Sequence, residues 1–255
     1  MESFDVGGTV LSVTGIFALV YAINGAENPF VWLLVAIILI ASFIFVEKKS
    51  KTPIMPLSLF ASKVRTGAYI GRTLYMCAML GFWFFISEYL QDVLNFNPIL
   101  TGLAFFPMTI TLFIAAMIVP RNVKKIGNKK TLLSGVLCLL AGFLCMLFVN
   151  EHSSYLSGVL IPLILMGFGQ GFSMSPLTNF GIYECGEENA GAASGLVNVA
   201  HQVGGSIGLS IMVACGNLSI TMSGKFHIAM VVGLIFIIMM GIVSISFPSD
   251  LKQEI

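Results

Sequence analysis

Eight apolar runs, each close to the length of a membrane-crossing helix and separated by short polar breaks, constrain this chain more than any other feature. They lie near Gly7–Asn24, Pro29–Val46, Thr66–Leu90, Leu100–Pro120, Thr131–Val149, Tyr155–Leu177, Ala190–Gly216 and Phe226–Phe247. A hydrocarbon core of roughly 30 Å is crossed by a helix of about 20 apolar residues. Eight such helices take up about 160 positions, which leaves short loops and no room for a water-soluble domain. The breaks carry turn chemistry, as in Asn24-Gly25-Ala26-Glu27-Asn28-Pro29, Asn95-Phe96-Asn97-Pro98 and Asn150-Glu151-His152-Ser153-Ser154. Composition agrees: 57% of the 255 residues are hydrophobic and 10% charged, against roughly 25% charged in an ordinary soluble domain. Thirteen Lys+Arg and twelve Asp+Glu cannot clothe a soluble surface. A soluble enzyme is excluded and, at net charge +1, so is a general nucleic-acid binder. The fold class expected is an all-α integral membrane protein of about eight transmembrane helices in a lipid bilayer.

The charges give an orientation. Lys48, Lys49, Lys51, Lys63 and Arg65 lie in the second break, Arg121, Lys124, Lys125, Lys129 and Lys130 in the fourth, and Lys252 in the tail. These eleven fall on the side shared by both termini; Lys225 alone falls on the other, and Arg72 lies inside the third run. By the positive-inside rule the basic side and both termini are cytoplasmic. The N-terminus holds Glu2 and Asp5 and no cation before the first run, so that run reads as a retained helix and not a signal peptide. The five cysteines form no C-x-x-C pair, and four lie in apolar runs as small buried hydrophobes.

The longest break, Glu47–Arg65, contains Lys48-Lys49-Ser50-Lys51-Thr52-Pro53 and Pro56, which resist a continuous helix. It divides the chain into two helices (1–47), a basic cytoplasmic linker (48–65), a six-helix unit (66–248) and a cytoplasmic tail (249–255). Six helices is the size of unit that transporter folds build from two inverted three-helix repeats. Spans three to five and six to eight share no convincing residue-level identity, so the repeat is expected from helix count.

Three segments resemble the major facilitator superfamily, specifically its fourteen-span drug:proton antiporter branch. The stretch Glu88-Tyr89-Leu90-Gln91-Asp92-Val93-Leu94-Asn95-Phe96-Asn97-Pro98, with Thr101-Gly102-Leu103-Ala104-Phe105-Phe106-Pro107-Met108, is similar to the first-to-second helix junction of that branch's C-terminal half. Pro120-Arg121-Asn122-Val123-Lys124-Lys125-Ile126-Gly127-Asn128-Lys129-Lys130 resembles the basic cytoplasmic signature between helices two and three of a half, with Pro120 and Lys124-Lys125 where the family usually has a Gly and an Asp-Arg pair. Gly191 to Gly208 resembles the penultimate helix, with His201 where Arg is more usual. The resemblance implies a C-terminal six-helix bundle of two inverted three-helix repeats, preceded by the two connecting helices of the branch, and lacking the N-terminal bundle with its proton-coupling acids. It implies transport of small amphipathic or cationic drug-like substrates and protons by alternating access, with a separate N-terminal half-transporter as partner, in the cell membrane.

Several residues carry candidate chemistry, each beside a structural alternative. Arg72 and Glu88 are ionisable groups inside one span, sixteen residues and about 24 Å apart along a helix, so they cannot pair with each other. Each suits either an interfacial position or a cavity. Gln170 lies in Met166-Gly167-Phe168-Gly169-Gln170-Gly171-Phe172; no strand precedes this run, so Gly167 and Gly171 read as packing residues and not as a phosphate loop. Gln170 serves either an interhelical hydrogen bond or, by resemblance, the central cavity lined by the fourth helix of a bundle. Asn198, His201 and Gln202 form a polar stripe on one helical face, followed by Gly204 and Gly208 at small-xxx-small spacing. The stripe is either a packed polar seam or a proton and substrate path. Phe105 and Met108, among other aromatic and soft residues of spans three and four, suit bulky apolar or cationic compounds, though lipid-facing positions suit them equally. The acidic loop Gly181–Glu188 reads as solvated and able to meet a basic one. No cofactor is expected; His152 and Glu151 lack metal-ligand spacing.

An intramembrane enzyme would need H-E-x-x-H or paired mid-membrane Asp residues, which the sequence lacks. Transport stands against a non-transporting scaffold, a pseudo-transporter or a truncated non-functional fragment.

Overall fold

The computed structural model of the chain describes residues 6–24, 26–49 and 57–249. Residues 50–56 of the linker expected at 48–65, residue 25, the tail from residue 250 and the first five residues lie outside the described residues. The described residues form eight α-helices: α1 Val6–Asn24, α2 Pro29–Lys49, α3 Lys63–Asp92, α4 Pro98–Ala104, α5 Phe106–Met146, α6 Leu160–Gly181, α7 Ala190–Gly216 and α8 Met222–Ile245. Short helical turns at Leu57–Ala61, Tyr155–Val159 and Glu187–Asn189 precede α3, α6 and α7. Hydroxyl and amide side chains cap several starts. Ser62, Asn97 and Thr221 each accept a hydrogen bond from the backbone N–H three residues on, which satisfies an otherwise orphaned helix donor.

The fourth and fifth spans are built differently from the sequence expectation. Pro107 has no N–H to give to Leu103, and the helix breaks at Phe105, separating α4 from α5. Helix α5 then continues past Pro120 through Arg121, Lys124 and Lys125, where a loop over 121–130 was expected. Charge marks where water begins, which need not be where a helix stops. The chain reverses instead at Gly127, whose φ of 85° and ψ of 163° suit glycine alone. The reversal shows in what faces α6. In the first arm Met108 and Ala115 meet Gly167 and Gly171, so the two run parallel; in the second, Gly135, Leu139 and Gly142 meet Ser173, Gly169 and Met166, so they run antiparallel.

Among the described residues six helices are long and apolar enough to cross a membrane, with Pro98–Met146 counted once and Gly7–Ala22 as a shorter seventh. Dividing Pro98–Met146 at Gly127 gives eight crossings in an all-helical membrane fold. The last six form one bundle in which α3 and α7 run parallel, α3 and α8 antiparallel, and the second arm of α5 antiparallel to α8. Exchanging the first three crossings of this bundle with the last three maps α3–α7 onto α6–first arm. The two parallel contacts are therefore equivalent, as an inverted repeat requires.

The core runs down the bundle, with Phe82, Ile86, Phe143, Phe180, Phe226 and Ile237 fully enclosed. Outward faces carry Phe113, Met117, Leu137 and Ile242, as lipid contact allows. The α1–α2 hairpin is packed mainly on itself, through Gly15 against Ile40 and Tyr21 edge-on to Trp32, and reaches the bundle where α1 touches α7.

Candidate functional site

A cavity of about 380 Å³ opens between α3, the first arm of α5, α6 and α7. Tyr75, Met76 and Trp83 line it from α3, Leu112, Ala116 and Pro120 from α5, Gln170, Met174 and Ser175 from α6, and His201 from α7. Gln170 lies ten residues from the start of α6, about 15 Å along the axis, and so near the middle of its crossing. Its Nε2 donates to the Met108 sulfur at 3.3 Å, and the Tyr75 hydroxyl donates to its Oε1 at 3.5 Å. Three of the expected positions thus come together here: Gln170 bonded to Met108, and His201 lining the same cavity from α7.

Arg72 is buried at 5% exposure, beside this cavity. Its Nη1 donates to the Met174 carbonyl at 3.2 Å, its guanidinium stands 5.9 Å from the Tyr75 ring centroid, and its Nε has no hydrogen-bond partner. The snorkelling alternative is therefore not what the side chain does. His201 Nδ1 and the Trp83 indole N–H are likewise buried and unpartnered.

The other expected positions lie elsewhere. Glu88 is half-buried at the far end of α3, four residues from Asp92. Phe105 is half-buried at the α4–α5 break. Asn198 and Gln202 are exposed on α7, so the polar stripe is not packed between helices within the chain. The basic positions Arg121, Lys124, Lys125 and Lys130 are exposed on the helical segments around Gly127, with Lys129 half-buried.

Residues 4–209 match the family model of the Major Facilitator Superfamily. The chain belongs to the Major Facilitator Superfamily. Its relatives include the puromycin resistance protein pur8 of Streptomyces alboniger, 30% identical over 82% of this chain and 43% of that protein. The multidrug resistance protein Stp of Mycobacterium tuberculosis is 30% identical over 82% of this chain and 40% of its own length. The multidrug transporter protein MdtP of Bacillus subtilis is 26% identical over 84% and 41%. The chain spans a little under half the length of these relatives.

In this superfamily member the glycines build the cavity's two side walls. Gly204 and Gly208 of α7 lie against the backbone of Thr73 and Cys77, and the Cys77 thiol donates to the Gly204 carbonyl at 3.1 Å. Gly167 and Gly171 of α6 lie against Met108, Thr111 and Ala115. A side chain at any of the four would push the helices apart and open the cavity wall.

Arg65 holds the basic end of the superfamily bundle together, a role that counting it as a loop cation did not reveal. Its guanidinium donates to the carbonyls of Ser58, Leu59, Tyr183 and Glu184 at 3.2, 3.0, 2.8 and 2.7 Å. The acidic loop after α6 does meet a basic residue, but through its backbone oxygens. In the sequence the signal is only an arginine three residues after a capping serine.

Proposed function

We propose that this chain is the C-terminal half of a multidrug efflux antiporter of the fourteen-span branch, working by alternating access against an N-terminal half. The observation that carries this reading is the cavity, which sits at mid-crossing between the first, second, fourth and fifth helices of a six-helix bundle and holds polar groups on an otherwise apolar wall. Rocking of two bundles about such a cleft is how inverted-repeat transporters expose a site to each side in turn. The names of pur8, Stp and MdtP, a puromycin resistance, a multidrug resistance and a multidrug transporter protein, support a drug-like substrate.

In this reading residues 1–47 are the two connecting helices, 48–65 the basic cytoplasmic linker, 66–248 the C-terminal bundle and 249–255 a cytoplasmic tail, in the cell membrane with both termini cytoplasmic. Gln170 and His201 contact amphipathic substrate, Met108 sets the position of the Gln170 amide on that path, and Arg72 orders that end of the cavity. Asn198 and Gln202, exposed on α7, face the N-terminal half, which contributes the proton-binding carboxylates. Phe105 at the α4–α5 break and Glu88 border the outer mouth. The basic positions Arg121, Lys124, Lys125, Lys129 and Lys130 fix the cytoplasmic turn at Gly127.

Drug-resistance complementation in an efflux-deficient cell tests the proposal, first with this chain alone and then with a candidate N-terminal half. Resistance that requires both supports it. Resistance from the chain alone overturns the half-transporter reading, and none in either case favours a non-transporting scaffold.

A further inference from the structure

The charge inside the cavity wall does not suit the cationic substrates that the family resemblance implies. Every acid of the sequence lies at a span end, in a loop or in a tail. The described lining of the cavity contains no carboxylate, and directly behind two of its residues, Tyr75 and Met174, lies the Arg72 guanidinium, 5% exposed and held by a single hydrogen bond to Met174. Among the described residues no carboxylate pairs with it. An ionised side chain at this depth is costly unless something answers its charge. A guanidinium offers five donors in a planar fork that matches a carboxylate in two parallel hydrogen bonds. Here Nε is unpartnered, and Met174 and Tyr75, which meet the guanidinium, line the cavity together with His201. The Trp83 indole, unpartnered on the same cavity, supplies a flat apolar surface with a spare donor.

Resting on the transport reading above, we infer that the cavity takes amphipathic organic acids, with the substrate carboxylate received by Arg72 and its ring system laid against Tyr75 and Trp83. A cation placed in the same cavity meets a guanidinium and no counter-charge. The carboxylate could alternatively come from an acidic side chain of a facing N-terminal bundle, and the test separates the two sources.

The full chain is placed in neutral phosphatidylcholine nanodiscs in a Trp32→Phe background, which leaves Trp83 as the one tryptophan, since the sequence has two. Quenching of Trp83 is titrated with 2-naphthoate and with its neutral isostere, 2-naphthamide. Saturable quenching by the acid with affinity about tenfold or more above the amide is expected, from the added strength of a charge-assisted hydrogen bond. Arg72→Gln should erase the acid's advantage over the amide, and Arg72→Lys, which keeps the charge without the fork, should retain part of it. Equal affinity for acid and amide in the parent overturns the inference, as does an acid preference that survives both Arg72 variants. If Arg72→Gln binds neither probe, the Arg72→Lys titration decides by the same criterion. Loss of the acid preference on co-expression with an N-terminal half assigns the guanidinium to a carboxylate of that half, which overturns the substrate assignment. Binding is read without transport, so a failed resistance assay and a failed acid preference remain distinguishable.

Discussion

The two parallel helix contacts that flank the cavity use the same sequence device to different ends. On one side Gly204 and Gly208 of α7 meet α3, and on the other Gly167 and Gly171 of α6 meet the first arm of α5. Both pairs are spaced by four, which puts both glycines of each pair on one face. At Gly208 the three atoms nearest an added Cβ are all backbone, the Cα, carbonyl carbon and oxygen of Cys77. At Gly171 it would meet the Ala115 methyl first and the Leu112 carbonyl at 3.0 Å. The α3–α7 contact is thus set by main chain on main chain, whereas the α5–α6 contact is set partly by side chains that can be changed. Close approach in the first is fixed by the fold; in the second it can be traded between partners.

Gly208→Ala should break the stiffer contact and give the largest effect, a loss of about 3 kcal/mol or failure to fold, since overpacking against immovable backbone leaves no relaxation. Thermal unfolding of the detergent-purified protein measures it. Gly127→Ala should cost about 2 kcal/mol, because its φ of 85° is closed to other residues. Limited proteolysis should then cut around 121–130 while the α3–α7 contact stays protected. Gly171→Ala should cost about 1.5 kcal/mol, and adding Ala115→Gly should recover a good part of it. A double-mutant cycle with no coupling would erase the distinction between the two contacts. Gln170→Leu should change stability by under about 1 kcal/mol, since interhelical polar contacts in bilayers contribute little; on the function proposed above its larger effect is a loss of substrate affinity. Gly195→Ala should be neutral or stabilising by up to about 1 kcal/mol, because nothing lies within 4 Å of an added Cβ on that exposed face of α7.

How much of this was legible beforehand depends on what each residue interacts with. The seventh span was readable to its ends, Ala190–Gly216, since apolarity and glycine spacing agree there. The four packing glycines were readable as a type, because small residues four apart in an apolar run have few other uses. Their partners were not, since nothing local in Gly208 names Cys77. The helix through Arg121–Ile126 was missed because its charges signal water and an exposed Pro120 does not stop it. Arg65 was missed for a related reason. It bonds to four carbonyl oxygens, which every residue possesses and no sequence pattern marks. Arg72 was recognised as unusual, but whether it reached the interface or stayed inside depended on how α3 and α6 pack.

The reversal at Gly127 couples the two arms of α5 mechanically. With a single non-helical residue between them, no loop is available to take up a displacement of one arm. A tilt of the first arm is therefore either carried to the second or absorbed by rotation about the glycine's own dihedrals.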